Sequence, residues 1–443
     1  MNTARLHPAQ MLVLAFAVAI ALATVLLMLP IATASGESTG FVDALLHAAT
    51  TLCVTGVVTL DPATHWSTFG HVVLLVCMQL GGLGIMTFAT VLGLFVARRL
   101  RLTTRMYAAA ETQTVDLGDL RRILRGVITY TLAIEVVVAV ALALRWWSGY
   151  DLPLGKAAWY GVFHAISGFN NTGIALYTQN VIPFASDPLI LLPLAASVIL
   201  GGLGFPVLLE VRRELRGSRR WSLNTKLVLI GSLVLLVVGA VFVTVAEWSN
   251  PRTLGQLDPG GRLLSGFFQS VQTRSGGFNS VDLNQMNPIT WFGMDVLMFI
   301  GAGPAGTGGG IKVTTFMVLV ALVWSEVRGH DSVHAFGKRI PSATLRQAIT
   351  VATLGLALIV GSTLALMATD ALSLDRALFE VTSAFATVGL STGVTAGLSD
   401  AGKLILIALM FAGRLGPITL ASSLALRRSE RQYEYPEERP IIG

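Results

Sequence analysis

Four short glycine-bearing stretches, each lodged between two long apolar runs, constrain this chain more than any other feature. They are Thr51-Leu52-Cys53-Val54-Thr55-Gly56-Val57, Asn171-Thr172-Gly173-Ile174, Gly276-Gly277-Phe278 and Thr387-Val388-Gly389-Leu390. Their glycines, Gly56, Gly173, Gly277 and Gly389, are separated by steps of 117, 104 and 112 residues. A second mark keeps step with the first. Glycine clusters begin at Gly81, Gly201, Gly301 and Gly413, which follow those glycines by 25, 28, 24 and 24 residues. Repetition over so long a period is the mark of a repeated structural unit. Close packing of membrane helices also favours glycine, and that alternative explains the glycines but not the matched offsets.

The apolar runs are of membrane type. The chain has 443 residues, 53% hydrophobic and 13% charged, with mean hydropathy +0.69. Soluble domains carry roughly 25% charge. Met11 to Pro30 holds no charged residue over 20 positions, enough to cross a hydrocarbon core about 30 Å thick. Ala32-Thr33-Ala34 looks like a signal-peptidase site, but a signal peptide has a shorter apolar run of about 7–15 residues. Cys53 and Cys77 give neither a disulfide framework nor a metal cluster, and Cys77 reads as packing.

The net charge of +6 invites a nucleic-acid reading, which its distribution opposes. Arginine and lysine concentrate at Arg98 to Arg125, Arg212 to Lys226, Arg328 to Arg346 and Arg427 to Arg439. The segments with the glycine stretches hold few: none from Ile31 to His65, then Lys156, Arg252, Arg262, Arg274 and Arg376. Positive loops mark the cytoplasmic side. Both termini and the basic loops are therefore expected inside, with the glycine stretches reached from outside.

Each unit then reads as span, short segment, glycine stretch, span. The spans fall near 10–31 and 66–97, near 125–147 and 187–211, near 226–247 and 288–326, and near 346–368 and 401–426. The short segments are Phe41 to Leu52, Gly155 to Phe169, Gly261 to Gln272 and Ser373 to Ala386. At 12 to 15 residues they are too short to cross and fit re-entrant helices. The expected fold is an all-α polytopic membrane protein: four pseudo-fourfold repeats of helix, re-entrant pore helix with filter, and helix, around one central pore. Boundaries follow: repeat 1 over 1–99, a basic linker and repeat 2 over 100–220, repeat 3 over 221–330, repeat 4 over 331–426 and a cytoplasmic tail over 427–443.

Irregular backbone survives at membrane depth only when buried in protein or lining an aqueous cavity. Glycine permits φ > 0 without Cβ strain, so consecutive carbonyls can turn toward one axis. Rings of carbonyl oxygens replace a cation's hydration shell, and the C-terminal ends of the short helices would add negative potential. The candidate ion-binding carbonyls are those of Val54, Thr55 and Gly56; Asn171, Thr172 and Gly173; Ser275, Gly276 and Gly277; and Thr387, Val388 and Gly389. No carboxylate ring is present in these stretches.

The run from Gly301 to Gly310, Gly-Ala-Gly-Pro-Ala-Gly-Thr-Gly-Gly-Gly, interrupts an apolar span. It contains the dinucleotide-binding spacing but lacks the strand before it that this motif requires. Ile311 separates Gly310 from Lys312, so it is not a phosphate-binding loop either. Six glycines and a proline cannot stay helical, so the span is expected to break around a flexible loop, with a static packed kink as the alternative. Arg414 lies in another apolar span, where a charge costs at least about 2.5–3.5 kcal/mol. It is expected to face the pore, where a fixed positive charge limits leak; a salt bridge to a neighbouring carboxylate is the alternative. Glu135, Asp295 and Lys312 are weaker intramembrane candidates, for an ion route or for pairing between helices. His164 reads as a packing histidine. The polar tail around Tyr433 to Glu438 reads as surface or as a docking segment.

Over nearly its whole length the chain resembles the Trk/Ktr/HKT superfamily of potassium transporters. The resemblance rests on Cys53-Val54-Thr55-Gly56, on Phe163 to Gly173 (FHAISGFNNTG), on Arg274-Ser275-Gly276-Gly277-Phe278-Asn279 and on Thr387-Val388-Gly389-Leu390. A first span near residue 10 leaves no room for the extra N-terminal pair of Trk-type subunits, so the Ktr-type membrane subunits match better. Gly276 stands where the family more often has alanine, which is expected to loosen that quarter. Glycine rather than serine at Gly56 resembles the potassium-permeable type. The resemblance implies potassium uptake, with K+ held at the filter and Na+ dependence open, and no organic cofactor. It implies a gate built from the loop glycines Gly301, Gly303, Gly306, Gly308, Gly309 and Gly310 with Lys312 and Arg414. It also implies a homodimer with one pore per protomer, set in the lipid bilayer of a bacterial cytoplasmic membrane, and a cytosolic, nucleotide-binding, KtrA-like RCK partner; no nucleic acid is implied. A solute carrier of the broken-helix type remains the alternative, for another small solute or for sodium or ammonium. An integral membrane enzyme is disfavoured, since metalloprotease and nucleophile-elbow motifs are absent.

Overall fold

Helix formation here follows composition. Long apolar segments with paired backbone are the structure that lipid permits. The computed structural model describes residues 8–84, 117–214 and 221–416, with side chains at 8, 9, 11, 12 and 117–123 left aside. Among the described residues, three helices are long and apolar enough to cross a membrane: Leu124–Gly149, Leu223–Glu247 and Ser342–Asp370. Val13–Met28 and Thr68–Gly84 are shorter apolar helices. The long helices present large apolar side chains outward, such as Val137, Val245 and Leu364, each more than 60% exposed. A soluble protein would bury these; a bilayer covers them.

The four short segments are helices Phe41–Leu52, Leu154–Phe169, Pro259–Gln272 and Leu374–Phe385. Their starts carry capping signals: Asp258 accepts from the amides of Gly260 and Gly261, and Pro153 and Pro259 sit where a missing N–H costs nothing. Each packs against the helix before it in the chain. Their C-terminal ends are buried, through Leu52, Phe169, Gln272 and Phe385.

Among the described residues, second spans depart from straight rods in two units. The span expected over 187–211 is two helices, Pro188–Leu203 and Phe205–Arg213, bent by 96°. The bend lies at Gly204, with φ 89°, a conformation that glycine adopts without strain. Gly416 ends helix Asp400–Leu415 with nearly the same backbone, φ 83° and ψ 139° against 89° and 139°. The span expected over 288–326 is broken into Pro288–Phe299 and Val313–Val327 by the glycine-rich run. The parts of the first and last second spans beyond Gly84 and Gly416, the basic linker from 100 to 116 and the tail lie outside the described residues. Ala32-Thr33-Ala34 is built into the fold: Ala32 and Ala34 exchange backbone hydrogen bonds with Ser67 and His65.

Candidate functional site

The four glycine stretches come together, and they do so through their backbones. In each quarter two residues take positive φ, the glycine and the residue two before it. The pairs are Val54 at 54° with Gly56 at 97°, Asn171 at 59° with Gly173 at 74°, Ser275 at 83° with Gly277 at 77°, and Thr387 at 49° with Gly389 at 91°. A positive φ costs a non-glycine residue roughly 1–3 kcal/mol and persists only where its surroundings impose it. For the β-branched Val54 and Thr387 it is a true outlier.

The glycines are required by their neighbours. A Cβ on Gly56 would lie 1.8 Å from the Thr172 carbonyl oxygen, and one on Gly173 would lie 2.7 Å from that of Gly276. On Gly277 it would meet the carbonyl oxygens of both Val388 and Thr172 at 2.7 Å, and on Gly389 that of Thr55 at 2.1 Å. Each glycine thus abuts the carbonyl that precedes the glycine of the next quarter. The sequence of contacts, first to second to third to fourth and back to first, closes. The four glycines also line a cavity of about 280 Å³, whose outer wall includes Pro62, Tyr177, Asn180, Asn279 and Thr395.

Side chains support this backbone from behind. The residues six before the glycine, Thr50 and Ser383, accept from the amides of Gly56 and Gly389 at 2.9 and 3.1 Å. The matching Ser167 donates to the Ile174 carbonyl at 2.8 Å. In the third quarter Gln272 takes over, its Oε1 accepting from the Phe278 amide at 3.2 Å. That oxygen also lies 2.1 Å from where a Cβ on Gly276 would fall. Gly276 therefore does not leave a gap: Gln272 fills the space that an alanine would need.

The second glycine marks have a job as well. A Cβ on Gly81, Gly201 or Gly413 would lie 2.2, 1.9 or 1.7 Å from the last carbonyl of the short helix of its own unit, that of Leu52, Phe169 or Phe385. Their near-constant offset is thus a packing requirement: span against short-helix end, backbone to backbone. Gly301 differs, its Cβ position lying 2.0 Å from the Gly309 carbonyl oxygen.

The run 301–310 packs against the glycine stretches at Ser275 and Thr387, and its glycines serve close packing. Gly303 donates to the Gly202 carbonyl at 2.8 Å, and Gly309 to Thr387 Oγ1 at 2.9 Å. Cβ positions on Gly306 and Gly308 would lie 2.5 Å from Gly202 O and 2.6 Å from Ala302 Cβ. Gly310 has φ 68°. The expected flexible loop is seen here folded and packed. Lys312 donates to the Gly308 carbonyl across the loop's own base. Arg414, 5% exposed, donates through its two terminal nitrogens to the carbonyls of Thr307 and of Gly81 at the first unit's glycine cluster. Among the described residues no carboxylate pairs with Arg414, so it bridges loop and span by charge-assisted hydrogen bonds.

Several supporting residues were not singled out from sequence. Thr307 donates to the Phe169 carbonyl at 3.3 Å as well as accepting from Arg414. Glu380, fully buried on the fourth short helix, collects Ser391 Oγ, Thr392 N and Oγ1, and Thr395 Oγ1 at 2.7 to 3.0 Å. It thereby ties down the segment after Gly389. A carboxylate between Phe379 and Val381 was its available signal. Arg274, counted with the outer basic residues, is instead buried. Glu135 accepts from Gln79 and Asn170 at 3.0 and 3.2 Å, a pairing between elements. Asp295 is buried with Oδ1 unpartnered. His164 packs among Trp146, Tyr177 and Phe278 and accepts from the Leu176 amide at 3.3 Å.

Known proteins resemble this one across its length. The family model described as TrkH, cation transport protein, matches residues 3–433. The Ktr system potassium uptake protein B of Vibrio alginolyticus is 39% identical over 98% of this chain and 94% of its own. The protein of the same name from Bacillus subtilis is 36% identical over 99% and 97%. The potassium/sodium uptake protein NtpJ of Enterococcus hirae is 32% identical over 99% and 98%. Among solved structures, the potassium transporter TrkH from Vibrio parahaemolyticus superposes with a TM-score of 0.76, covering 96% of this chain and 87% of that one, at 16% identity.

Proposed function

The chain belongs to the TrkH family of cation transport proteins, and we propose that it carries potassium into a bacterial cell through the ring at Gly56, Gly173, Gly277 and Gly389. One observation carries the reading: four glycines, each abutting the next quarter's carbonyl, in an order that closes on itself. Backbone oxygens so arranged suit a cation that must shed water, and K+ is the substrate named for the relatives at 36 and 39% identity.

The four repeats take the boundaries 1–99, 100–220, 221–330 and 331–426, with the filter residues running from two before each glycine to the glycine. The 301–310 loop, with Lys312 and Arg414, is the gate. Packed against the ring and held by Arg414, it puts backbone and a positive charge in the cation's way. Basic loops and both termini face the cytoplasm, where a nucleotide-binding RCK-type subunit regulates a homodimer. A name that refers to a Ktr system implies further subunits for those relatives, which supports a partner here. Sodium is the second cation to consider, because the relative at 32% identity is named for both ions.

The test is rescue of potassium-uptake-deficient bacteria at low external potassium, with and without an RCK subunit. Growth with the partner present is the expected result. Failure under that condition, with the protein in the membrane, removes the potassium assignment.

A further inference from the structure

We propose that Arg274 is a positioning residue. It fixes the neck of the 301–312 loop to the third filter stretch and to helix Leu223–Glu247, leaving the loop's far half as the part that Arg414 holds or releases. The transport readout below rests on the function proposed above; the exchange readout does not.

Arg274 stands three residues before Gly277 and is 8% exposed. Among the described residues it has no carboxylate partner. A guanidinium buried without a counter-charge is costly, so its hydrogen bonds should matter. It donates through Nη1 to the Ser232 carbonyl at 3.0 Å and through Nη2 to the Gly301 carbonyl at 3.2 Å. Three elements are thereby joined through one planar group: the filter stretch, the outer helix of its unit and the first residue of the loop.

Gly301 is the right place to hold. Its amide donates to the Ile311 carbonyl at 2.8 Å, Val313 donates to the Ala302 carbonyl at 3.1 Å, and Ile300 pairs with Ile311. These bonds close the loop into a neck, and Arg274 takes the free carbonyl of that neck. The far half is held by a different set: Thr307 by Arg414 and Phe169, and Gly309 by Thr387. Ser275, the neighbour of Arg274, donates to the Thr387 carbonyl at 2.8 Å, so the filter quarter that carries the anchor also touches the loop's far support.

Lysine at 274 would keep the charge but lose the planar fork that spans two carbonyls. The test is therefore Arg274→Lys in the full chain in nanodiscs, with Arg274→Gln as a second variant. Hydrogen exchange of amides 301–313 is expected to rise about tenfold, with 391–397 unaltered, as for release of one local unit. In proteoliposomes, rubidium flux of Arg274→Lys is expected to change severalfold. In a chain shortened within 303–309 that change should vanish, because contacts acting through one element are not additive. Unaltered exchange at 301–313, or an equal flux change in both backgrounds, overturns the anchor. A wild-type chain that moves no rubidium defeats the potassium reading, while the exchange result still decides Arg274.

Discussion

The third unit and the other three use the same sequence marks to different ends. In units one, two and four, the glycine that opens the second cluster lets a span rest against the last carbonyl of the short helix, at Leu52, Phe169 and Phe385. In unit three the span breaks instead, and Gly301 faces the carbonyl of Gly309 in the inserted loop. The support behind the glycine stretch differs in the same unit, with Gln272, one position later than Thr50, Ser167 and Ser383 stand in theirs, taking over the hydrogen bond. Three units therefore make a frame, and the unlike one holds the segment packed against the ring. A repeat that was uniform throughout would have left nothing to place there.

The largest expected effect comes from attacking the frame. Gly413→Ala puts a methyl group 1.7 Å from the Phe385 carbonyl oxygen, and Gly81→Ala one 2.2 Å from that of Leu52. Backbone cannot yield as a side chain does, so the cost should reach or exceed the about 1–3 kcal/mol of ordinary overpacking. Monodisperse yield and thermal unfolding in detergent should fall sharply. Gly361→Ala, with nothing within 4 Å, should leave both unchanged, and equal behaviour of the two would undo the packing account of the matched offset.

Next comes the ring. At Gly277 the nearest carbonyls stand 2.7 Å from a Cβ, against 1.8 Å at Gly56. Gly277→Ser is expected to cost less stability than the frame substitutions and to lower preference for potassium over sodium about tenfold, a change of roughly 1.4 kcal/mol. Sodium competition against rubidium uptake reads it. Undiminished preference would show that the third quarter does not contribute to ion choice.

Shortening the chain within 303–309 sharpens the contrast from the other side. Rubidium flux should rise severalfold while preference between ions stays, because the four glycines and their carbonyl neighbours are unchanged in sequence. Unaltered rubidium uptake would mean that the loop is no gate. The smallest effect is expected from Ser275→Ala, which removes the bond to Thr387 O at 2.8 Å. A loss of about 1 kcal/mol is typical of one such bond, and chemical unfolding should detect it.

Much of the architecture is legible in the chain because its signals are local or periodic. Apolar runs marked the spans, and Phe41 to Leu52 was read as the helix Phe41–Leu52 that the structure has. The break after Ile300 followed from six glycines and a proline in ten residues. The 96° bend at Gly204 was not read, because a lone glycine cluster in an apolar run looks the same whether it packs or bends. Nor was the partner of any buried charge. Arg274 looked like an outer loop residue, and Arg414 had a carboxylate as an open alternative. Both instead donate to carbonyls far away in the sequence, at Gly301 and Ser232, and at Thr307 and Gly81.

The sequence by itself determined that glycine recurs at four places and again at a near-constant distance beyond each, because backbone crowding leaves no other residue for such positions. Only the tertiary structure decided which backbone crowds which. The glycine at 56 meets unit two, that at 389 meets unit one, and the glycine at 301 meets the loop rather than a helix end. The first two join residues more than a hundred positions apart and the third folds the loop back on its own start, and their identity depends on how the segments pack around one another, which no local spacing encodes.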